Sequence, residues 1–213
     1  MSAHVPLPTV AESTLPQGHS WRKIPPVAVA VGVASLGAAY VLAGDDHEQF
    51  LFSYLVAWLF SLSLGLGALF FTLVQHAARA GWSVVVRRTA ENLAASLPII
   101  AVLFLPIFLG RHELYHHWMD AETVANDAIL RGKEAYLNEG FFNLRAGFYL
   151  LLWSTLGWWF RRSSVAQDTM SDDLAAREEH SRRMERRSFL AIMGFAITIT
   201  FAAIDWIMTL DPH

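Results

Sequence analysis

Residues 50–74 read FLFSYLVAWLFSLSLGLGALFFTLV, and this run contains no charged side chain. A helix that crosses a membrane needs roughly 20 consecutive apolar residues, so the run predicts one such helix. Four further apolar stretches of similar composition follow or precede it, at residues 25–43, 93–110, 141–160 and 188–210. The sequence therefore predicts an all-α membrane protein with about five transmembrane helices, arranged as a four-helix bundle plus a flanking helix.

The overall composition agrees with this class and limits the chemistry. Hydrophobic residues make up 54% of the 213 residues and charged residues 16%, whereas a soluble domain normally carries about 25% charged residues. Cysteine is absent, which excludes an iron–sulfur cluster held by the chain's own thiolates, a c-type haem attachment and a disulfide. Any such redox centre must belong to a partner subunit.

The basic residues predict how the chain is oriented. Threading the five stretches through a membrane puts 12 of the 16 lysines and arginines on one side. The smaller set of four comprises Arg111, Arg131, Lys133 and Arg145. Because positive residues concentrate on the cytoplasmic side, we expect the N-terminus inside and the C-terminus outside. Tryptophans near the helix ends are expected to anchor at the headgroups: Trp82, Trp158 and Trp159 inside, Trp118 and Trp206 outside.

The remaining segments suggest how the chain is divided. Residues 1–24 are polar and proline-containing, which predicts a disordered cytoplasmic tail before a transmembrane helical domain at 25–213. Pro98 and Pro106 predict breaks in the third helix, tolerated if neighbouring groups bond the freed carbonyls. Residues 111–140 predict a short amphipathic helix on the outer surface, and the charged residues 161–187 predict extensions of the fourth and fifth helices.

Asp205 and Arg145 are the most prominent ionisable residues within the apolar stretches. Asp205 lies about 9 Å from the outer end of its helix, and Arg145 about 6 Å from the same side, at 1.5 Å per residue. Charged groups within a membrane are costly and are candidates for function. Matched depth and opposite charge predict an ion pair, which either fixes helix packing or forms part of a proton path or ligand pocket.

On the predicted inner side, His76 follows the second helix, while Glu91 and Asn92 open the third. An imidazole beside a carboxylate suits the mouth of a proton half-channel, although Arg87 and Arg88 lie close enough to neutralise Glu91. A shared haem is excluded, because His76 and the histidines after the third helix are about a bilayer thickness apart. No cofactor is therefore expected on this chain, apart from a possible quinol.

Residues 112–116 read HELYH and match the H-E-x-x-H pattern. On a continuous helix, His112 and His116 would share one face and could bind zinc, with Glu113 as general base. This predicts an alternative function, a zinc-dependent intramembrane metalloprotease. The other interpretation is an outer surface patch that contains His47, His112, His116, His117 and His213. A transporter half is a third hypothesis, weakened by the lack of symmetry-related broken helices.

Several passages resemble one family of membrane proteins. They are FSYLVAW at 52–58, residues 67–75 with His76, WSVVVRR at 82–88, LYHHW at 114–118, KEAYLN at 133–138 with Phe141 and Phe142, residues 161–168, and FAAIDWIMTLDP at 201–212. Together they are similar to the polysulfide-reductase-type (NrfD-like) membrane subunits of bacterial alternative complex III. The last passage is the most specific, and the resemblance covers essentially everything after residue 25.

The resemblance implies an integral membrane subunit of a respiratory quinol:cytochrome c oxidoreductase, located as a multi-pass protein in a bacterial inner (cytoplasmic) membrane. It implies a role in electron transport, with possible quinol handling or proton translocation, and no catalysis by this chain alone. Haem and iron–sulfur clusters would lie in other membrane and periplasmic subunits, and quinol or lipid would be the small-molecule partners, with no nucleic acid. Members of this family have two helical bundles, so we expect this chain to match the N-terminal half.

Overall fold

The computed structural model describes residues 16–44, 46–80, 84–168, 170 and 174–212. In these residues the chain forms helices and no β-strand, which confirms the predicted all-α membrane fold. The α-helices are α1 (Ile24–Ala43), α2 (His47–Ala77), α3 (Val84–Ala94), α4 (Leu97–Val102), α5 (Leu105–Leu109), α6 (Arg111–Leu114), α7 (His116–Met119), α8 (Ala121–Asn126), α9 (Ala128–Lys133), α10 (Glu139–Asp168) and α11 (Leu174–Trp206).

The chain divides into two compact units, Met1–Phe50 and Leu51–His213. In the second unit, α10 packs against α3, α4 and α11. Trp58 of α2 donates a hydrogen bond from Nε1 to the backbone oxygen of Ile100 over 2.9 Å, and Phe70 of α2 stacks on Phe195 of α11. We call α2, the consecutive helices α3 to α5 taken together, α10 and α11 the four rods of the bundle. In this order, each rod packs against the next, and α11 contacts α2. In the first unit, no residue of α1 is buried.

Four segments are long and apolar enough to cross a membrane: Ser20–Ala43, His47–Ala77, Val86–Leu109 and Leu174–Leu210. The predicted count of five is therefore too high by this measure, because the stretch 141–160 within α10 does not qualify. Asn143 and Arg145 lower its apolar content, and Arg145 is only 8% exposed because it faces the bundle interior. The 30 residues of α10 still correspond to a length of about 45 Å.

The third rod is broken at both predicted positions. Separate helices α4 and α5 begin at Leu97 and Leu105, so Pro98 and Pro106 fall in their first turns, where a missing N–H costs little. Side chains of α2 bond the backbone oxygens near the breaks: Tyr54 Oη donates to Leu103 over 2.7 Å, and Trp58 binds Ile100. These bonds give side-chain partners to carbonyls between the breaks, whereas the carbonyls that Pro98 and Pro106 leave without a helical N–H are those of Ala94 and Val102, four residues earlier.

Residues 111–140 do not form the single amphipathic helix that the sequence predicts. Four short helices, α6 to α9, occupy this segment instead. Asp120 and Asp127 are N-caps that accept hydrogen bonds from the backbone amides of Thr123 and Ile129, over 3.0 and 2.7 Å. Hydrogen bonds from the Thr123 hydroxyl and amide also lower the pKa of Asp120. Each cap starts a new helix, which explains why the segment is interrupted.

The charged segment 161–187 behaves as predicted, because α10 continues to Asp168 and α11 begins at Leu174. The structure differs from the predicted disorder of the N-terminal tail, residues 1–24, at the end of that segment. Ser20–Lys23 form a 3-10 turn that leads into α1, so the predicted disorder does not extend to them. Residues 1–15 of the predicted tail lie outside the described residues, as do Trp82 and His213.

Helices α3 and α10 approach most closely at Gly157. A Cβ atom at this position would lie 2.3 Å from the backbone oxygen of Ala94, far inside van der Waals contact. The obstacle is main chain, which cannot rotate away as a flexible side chain would. Any residue larger than glycine at position 157 must therefore push the two helices apart.

We expect Gly157→Ala to lower the free energy of unfolding by about 1–3 kcal/mol, because overpacking strains a close helix contact. Gly147→Ala on the same helix is the matched control, since no described residue of another element lies within 4 Å of the added Cβ. That control should be neutral or stabilising by up to about 1 kcal/mol. Thermal unfolding of the full chain in mild detergent, followed by helical circular dichroism, measures both. Equal midpoints for the two variants would contradict the close approach.

Candidate functional site

A buried ion pair joins α10 to α11 at one end of the bundle. Arg145 donates from Nε to Asp205 Oδ2 and from Nη2 to Asp205 Oδ1, each over 2.8 Å. Asp205 is 1% exposed and Arg145 8%. The sequence predicts this pair from matched depths and opposite charges, and the structure places the two side chains in bidentate contact.

Both charged groups make further hydrogen bonds and ring contacts beyond the ion pair. Tyr149 Oη donates to Asp205 Oδ2 over 3.0 Å, and Arg145 Nη1 donates to the backbone oxygen of Tyr136 over 3.1 Å. The guanidinium carbon lies 3.9 Å from the centre of the Tyr136 ring and 4.3 Å from that of Phe141. A buried ion pair stabilises a fold only when extra bonds offset the loss of hydration. This pair has such bonds, which suits a fixed structural contact.

Side chains from the connecting segment bond the backbone where α11 ends. Tyr115 Oη donates to the Trp206 backbone oxygen over 3.2 Å, and Trp118 Nε1 donates to that of Thr209 over 3.1 Å. Thr209 Oγ1 in turn donates to the Asp205 backbone oxygen over 2.5 Å. Burial raises the pKa of Tyr115, so its hydroxyl stays protonated as a donor. These bonds satisfy carbonyls that a helix end leaves unpaired.

Two of the predicted headgroup anchors are wrong. Trp118 and Trp206 are 4% and 1% exposed, and the Trp206 ring packs against Trp58 and Trp153 inside the bundle. The sequence analysis also missed Tyr149. A signal for it exists, because it follows Arg145 by four residues and so lies on the same helix face. Nothing in the sequence pattern indicates the contribution of Tyr115 or Tyr136, which come from outside the bundle helices.

A second polar cluster lies around Glu91 of α3, at the other end of the bundle. His76 Nε2 and Arg87 Nε lie 3.5 and 3.6 Å from Glu91 Oε1, and Arg88 Nη1 lies 3.6 Å from Oε2. The Glu91 side chain is 0% exposed. The structure thus brings together His76 and Glu91, with both arginines that were expected to neutralise the carboxylate.

The Glu91 cluster, unlike the Asp205 pair, is short of hydrogen bonds. Among the described residues, neither carboxylate oxygen of Glu91 has a hydrogen-bond partner, nor do Gln75 Oε1 and His76 Nε2. A cavity of about 250 Å³ adjoins Gln75 and His76 and is also lined by Arg79, Arg87 and polar side chains of α11, but Glu91 is not among its lining residues. This volume exceeds the roughly 30 Å³ share of a single water, so the cavity has room for solvent beside Gln75 and His76.

The position of Glu91 differs from the prediction in one respect. Glu91 and Asn92 lie in the last turn of α3, which begins at Val84, and do not open the third helix. Asn92 Oδ1 accepts a hydrogen bond from Arg161 Nε over 2.7 Å, so it binds α10 and does not join the cluster.

The bundle between the two clusters is mainly apolar. Leu62, Leu66 and Leu69 are buried there. Trp153 Nε1 donates to Thr198 Oγ1 over 2.9 Å, and that hydroxyl bonds carbonyls of its own helix. In the part of the chain that the structure describes, these hydrogen bonds do not connect Asp205 with Glu91. The clusters are therefore separate sites.

The H-E-x-x-H residues do not lie on one continuous helix. Tyr115 has φ −116° and ψ 30°, so α6 ends at Leu114 and α7 begins at His116. The break accompanies the insertion of Tyr115 into the core, where it binds α11. His112 approaches Glu139, while His116 Nδ1 lies 3.1 Å from the Glu113 backbone oxygen. No group of three metal-ligating side chains occurs among the described residues, and the helical geometry assumed for zinc is wrong.

An apolar cavity of about 500 Å³ lies between α2 and α11. Its lining includes Leu62, Leu66, Phe70, Phe195, Ile199 and Trp206. These residues belong to two of the membrane-spanning segments, so the cavity lies at membrane depth. A lining of this kind suits the hydrocarbon chain of a lipid or quinol.

Comparison with known proteins assigns no family. No protein-family model matches the chain, and no curated protein matches it. The similarity to membrane subunits of alternative complex III thus remains a hypothesis based on the quoted passages, and the geometry of the two clusters has to support any proposed function.

Proposed function

We propose that this chain is a multi-pass membrane subunit of a bacterial respiratory quinol:electron-acceptor oxidoreductase of the alternative complex III type. It supports assembly of the complex and carries a proton-transfer group near the cytoplasmic surface. Partner subunits hold the iron–sulfur clusters and c-type haems, because a chain without cysteine supplies no thiolate for either group. Quinol, or lipid, binds the apolar cavity between α2 and α11.

The passages that carry the family resemblance supply residues of both clusters. Residues 201–212 contain Asp205, Trp206 and Thr209, which meet Tyr115 of the 114–118 passage at one end of the bundle. The passage at 67–76 supplies His76 to the Glu91 cluster at the other end. Passages far apart in sequence thus converge in space, which supports the resemblance.

The environment of Glu91 is the observation that carries the proton-transfer role. Its carboxylate is buried, has no hydrogen-bond partner among the described residues, and lies 3.5 Å from His76 Nε2 beside a polar cavity. The imidazole of His76 lines the cavity, so it can pass a proton between solvent there and Glu91. Arg87 and Arg88 stabilise the ionised carboxylate after the proton leaves.

Asp205 receives a different role in this proposal. Its oxygens already accept bonds from Arg145 and Tyr149, and the described hydrogen bonds do not lead from it to Glu91. We therefore assign the Asp205–Arg145 pair to helix packing. In this proposal α10 crosses the membrane beside α11, with Arg145 turned into the bundle. The distribution of basic residues then favours a topology with the N-terminus inside and Glu91 on the cytoplasmic side.

Membership of the complex is tested by purification. We expect the full chain, tagged and solubilised in mild detergent from its native membrane, to co-purify with haem-bearing and iron–sulfur subunits, identified by mass spectrometry and haem absorbance. A tagged unrelated membrane protein from the same cells is the control. Recovery of the chain without any redox partner would contradict the proposed function.

The proton-transfer role is tested by Glu91→Gln. This change keeps the size of the side chain but removes its ability to carry a proton, so proton-coupled turnover should fall on the order of 100-fold while the complex still assembles. Proton release and quinol oxidation are measured together in proteoliposomes. Glu122→Gln, which alters an exposed carboxylate, is the matched control. Unchanged proton release per electron in Glu91→Gln would remove Glu91 from the proton path.

The packing role is tested by Asp205→Asn. This substitution leaves Arg145 as an uncompensated buried charge, which typically costs about 3–5 kcal/mol. We expect a large loss of thermal stability and complex yield, and recovery of much of both in the double variant Asp205→Asn with Arg145→Gln. Glu139→Gln breaks the exposed Arg111–Glu139 pair and should cost about 1 kcal/mol or less.

The alternative outcomes of the Asp205 experiment are distinct. A single variant that assembles normally yet loses proton release, with no recovery in the double variant, would make Asp205 a proton carrier. A single variant with normal stability and normal proton release would exclude both roles.

A further inference from the structure

Two arginines lie on indole rings where α10 and α11 become charged. The guanidinium carbon of Arg187 is 4.5 Å from the centre of the Trp159 ring, and that of Arg162 is 5.1 Å from the Trp158 ring. Cation–π contacts of this kind occupy the flat face of a guanidinium. The N–H groups along its edge remain available for a planar, bidentate acceptor such as phosphate.

Arg162 and Arg187 differ from three arginines at the same end of the bundle that carboxylates neutralise, whereas Arg183 and Arg186 share their lack of an ion pair within the described part of the chain but do not lie on an indole there. Arg79, Arg88 and Arg182 each form an ion pair with a carboxylate, at 2.7, 2.6 and 2.6 Å. Among the described residues, Arg162 and Arg187 form no ion pair, and both are exposed. Their positive charges are therefore held in place by the indoles without being neutralised by the protein.

The surface next to these arginines is apolar and exposed. Phe189, Leu190 and Met193 follow Arg187 along α11, and they are 54%, 74% and 65% exposed. On α10, Leu151 precedes the tryptophans and is 68% exposed. Because the apolar stretch of α11 begins directly after Arg187, the arginines lie where the hydrocarbon of a bilayer gives way to its headgroups.

We propose that Arg162 and Arg187, with Trp158 and Trp159, form a binding site for an anionic phospholipid. The guanidinium edges bind the headgroup phosphate, the indoles hold the arginines at headgroup depth, and an acyl chain lies on the exposed apolar surface of α10 and α11. The net negative charge of the lipid offsets part of the positive charge of the two arginines, which a zwitterionic lipid does not do. This inference does not depend on the proposed respiratory function.

The test titrates the full chain in mild detergent with dioleoylphosphatidylglycerol, dioleoylphosphatidylcholine or inorganic phosphate. Native mass spectrometry counts bound lipid, and circular dichroism measures the thermal midpoint. We expect only phosphatidylglycerol to bind and to raise the midpoint. Arg162→Gln with Arg187→Gln should weaken its binding on the order of tenfold, since each basic residue near a surface contributes to the attraction.

Arg183→Gln with Arg186→Gln is the matched control, because it removes the same charge from the same region without touching the arginines on the indoles. Its affinity for phosphatidylglycerol should stay close to wild type. Equal weakening in the two double variants would show diffuse attraction and overturn the site. Equal binding of inorganic phosphate would overturn the lipid assignment. Arg187→Lys, which keeps the charge but loses the planar fork, provides a milder variant that should still fold and bind more weakly.

Discussion

The arrangement of this bundle depends on removing one arginine and one aspartate from water together. Alone, either Arg145 or Asp205 would carry a large desolvation cost at its depth in an apolar helix. Together they form two parallel hydrogen bonds. The Tyr149 hydroxyl donates a further hydrogen bond to Asp205, and the Tyr136 backbone oxygen accepts one from Arg145. The geometry also fixes register, because sliding α10 along α11 by one turn would move the partners about 5.4 Å apart.

The Arg145–Asp205 pair also explains how α10 can lie in the bundle although its composition is too polar for a typical membrane helix. The helix is too polar to qualify as a membrane span by apolarity, yet it packs between the broken rod and α11 in the bundle. Turning Arg145 inward lets its polar groups bond to protein and leaves residues such as Leu144 and Phe148 exposed. A helix whose polar residues face the bundle and whose apolar residues face outward can lie in a membrane even when its average composition is relatively polar.

Buried charged groups are hydrogen-bonded differently at the two ends of the bundle. At the Asp205 end, carboxylate oxygens accept three hydrogen bonds, and the adjoining helix terminus is bonded by side chains of the connecting segment. At the Glu91 end, the charged atoms lie about 3.5 Å apart and leave the carboxylate without a hydrogen-bond partner among the described residues. A buried acceptor without a hydrogen-bond partner costs roughly 1–3 kcal/mol. The lack of a side chain at Gly157 lets the Ala94 backbone of α3 lie close to α10, three residues after Glu91.

The sequence by itself determined the features that depend on composition and local spacing. Apolar stretches indicated the membrane helices, Pro98 and Pro106 located the breaks, and matched depth paired Asp205 with Arg145, because burial of charge without a partner is so costly. Only the tertiary structure decided which way interfacial residues face. Trp118 and Trp206 turned inward, the insertion of Tyr115 into the core interrupted the helix of the H-E-x-x-H residues, and α3 began early enough to bury Glu91. Each of these outcomes depends on hydrogen bonds and packing between residues far apart in sequence, whose energies outweigh local helical preference and leave no trace in residue spacing.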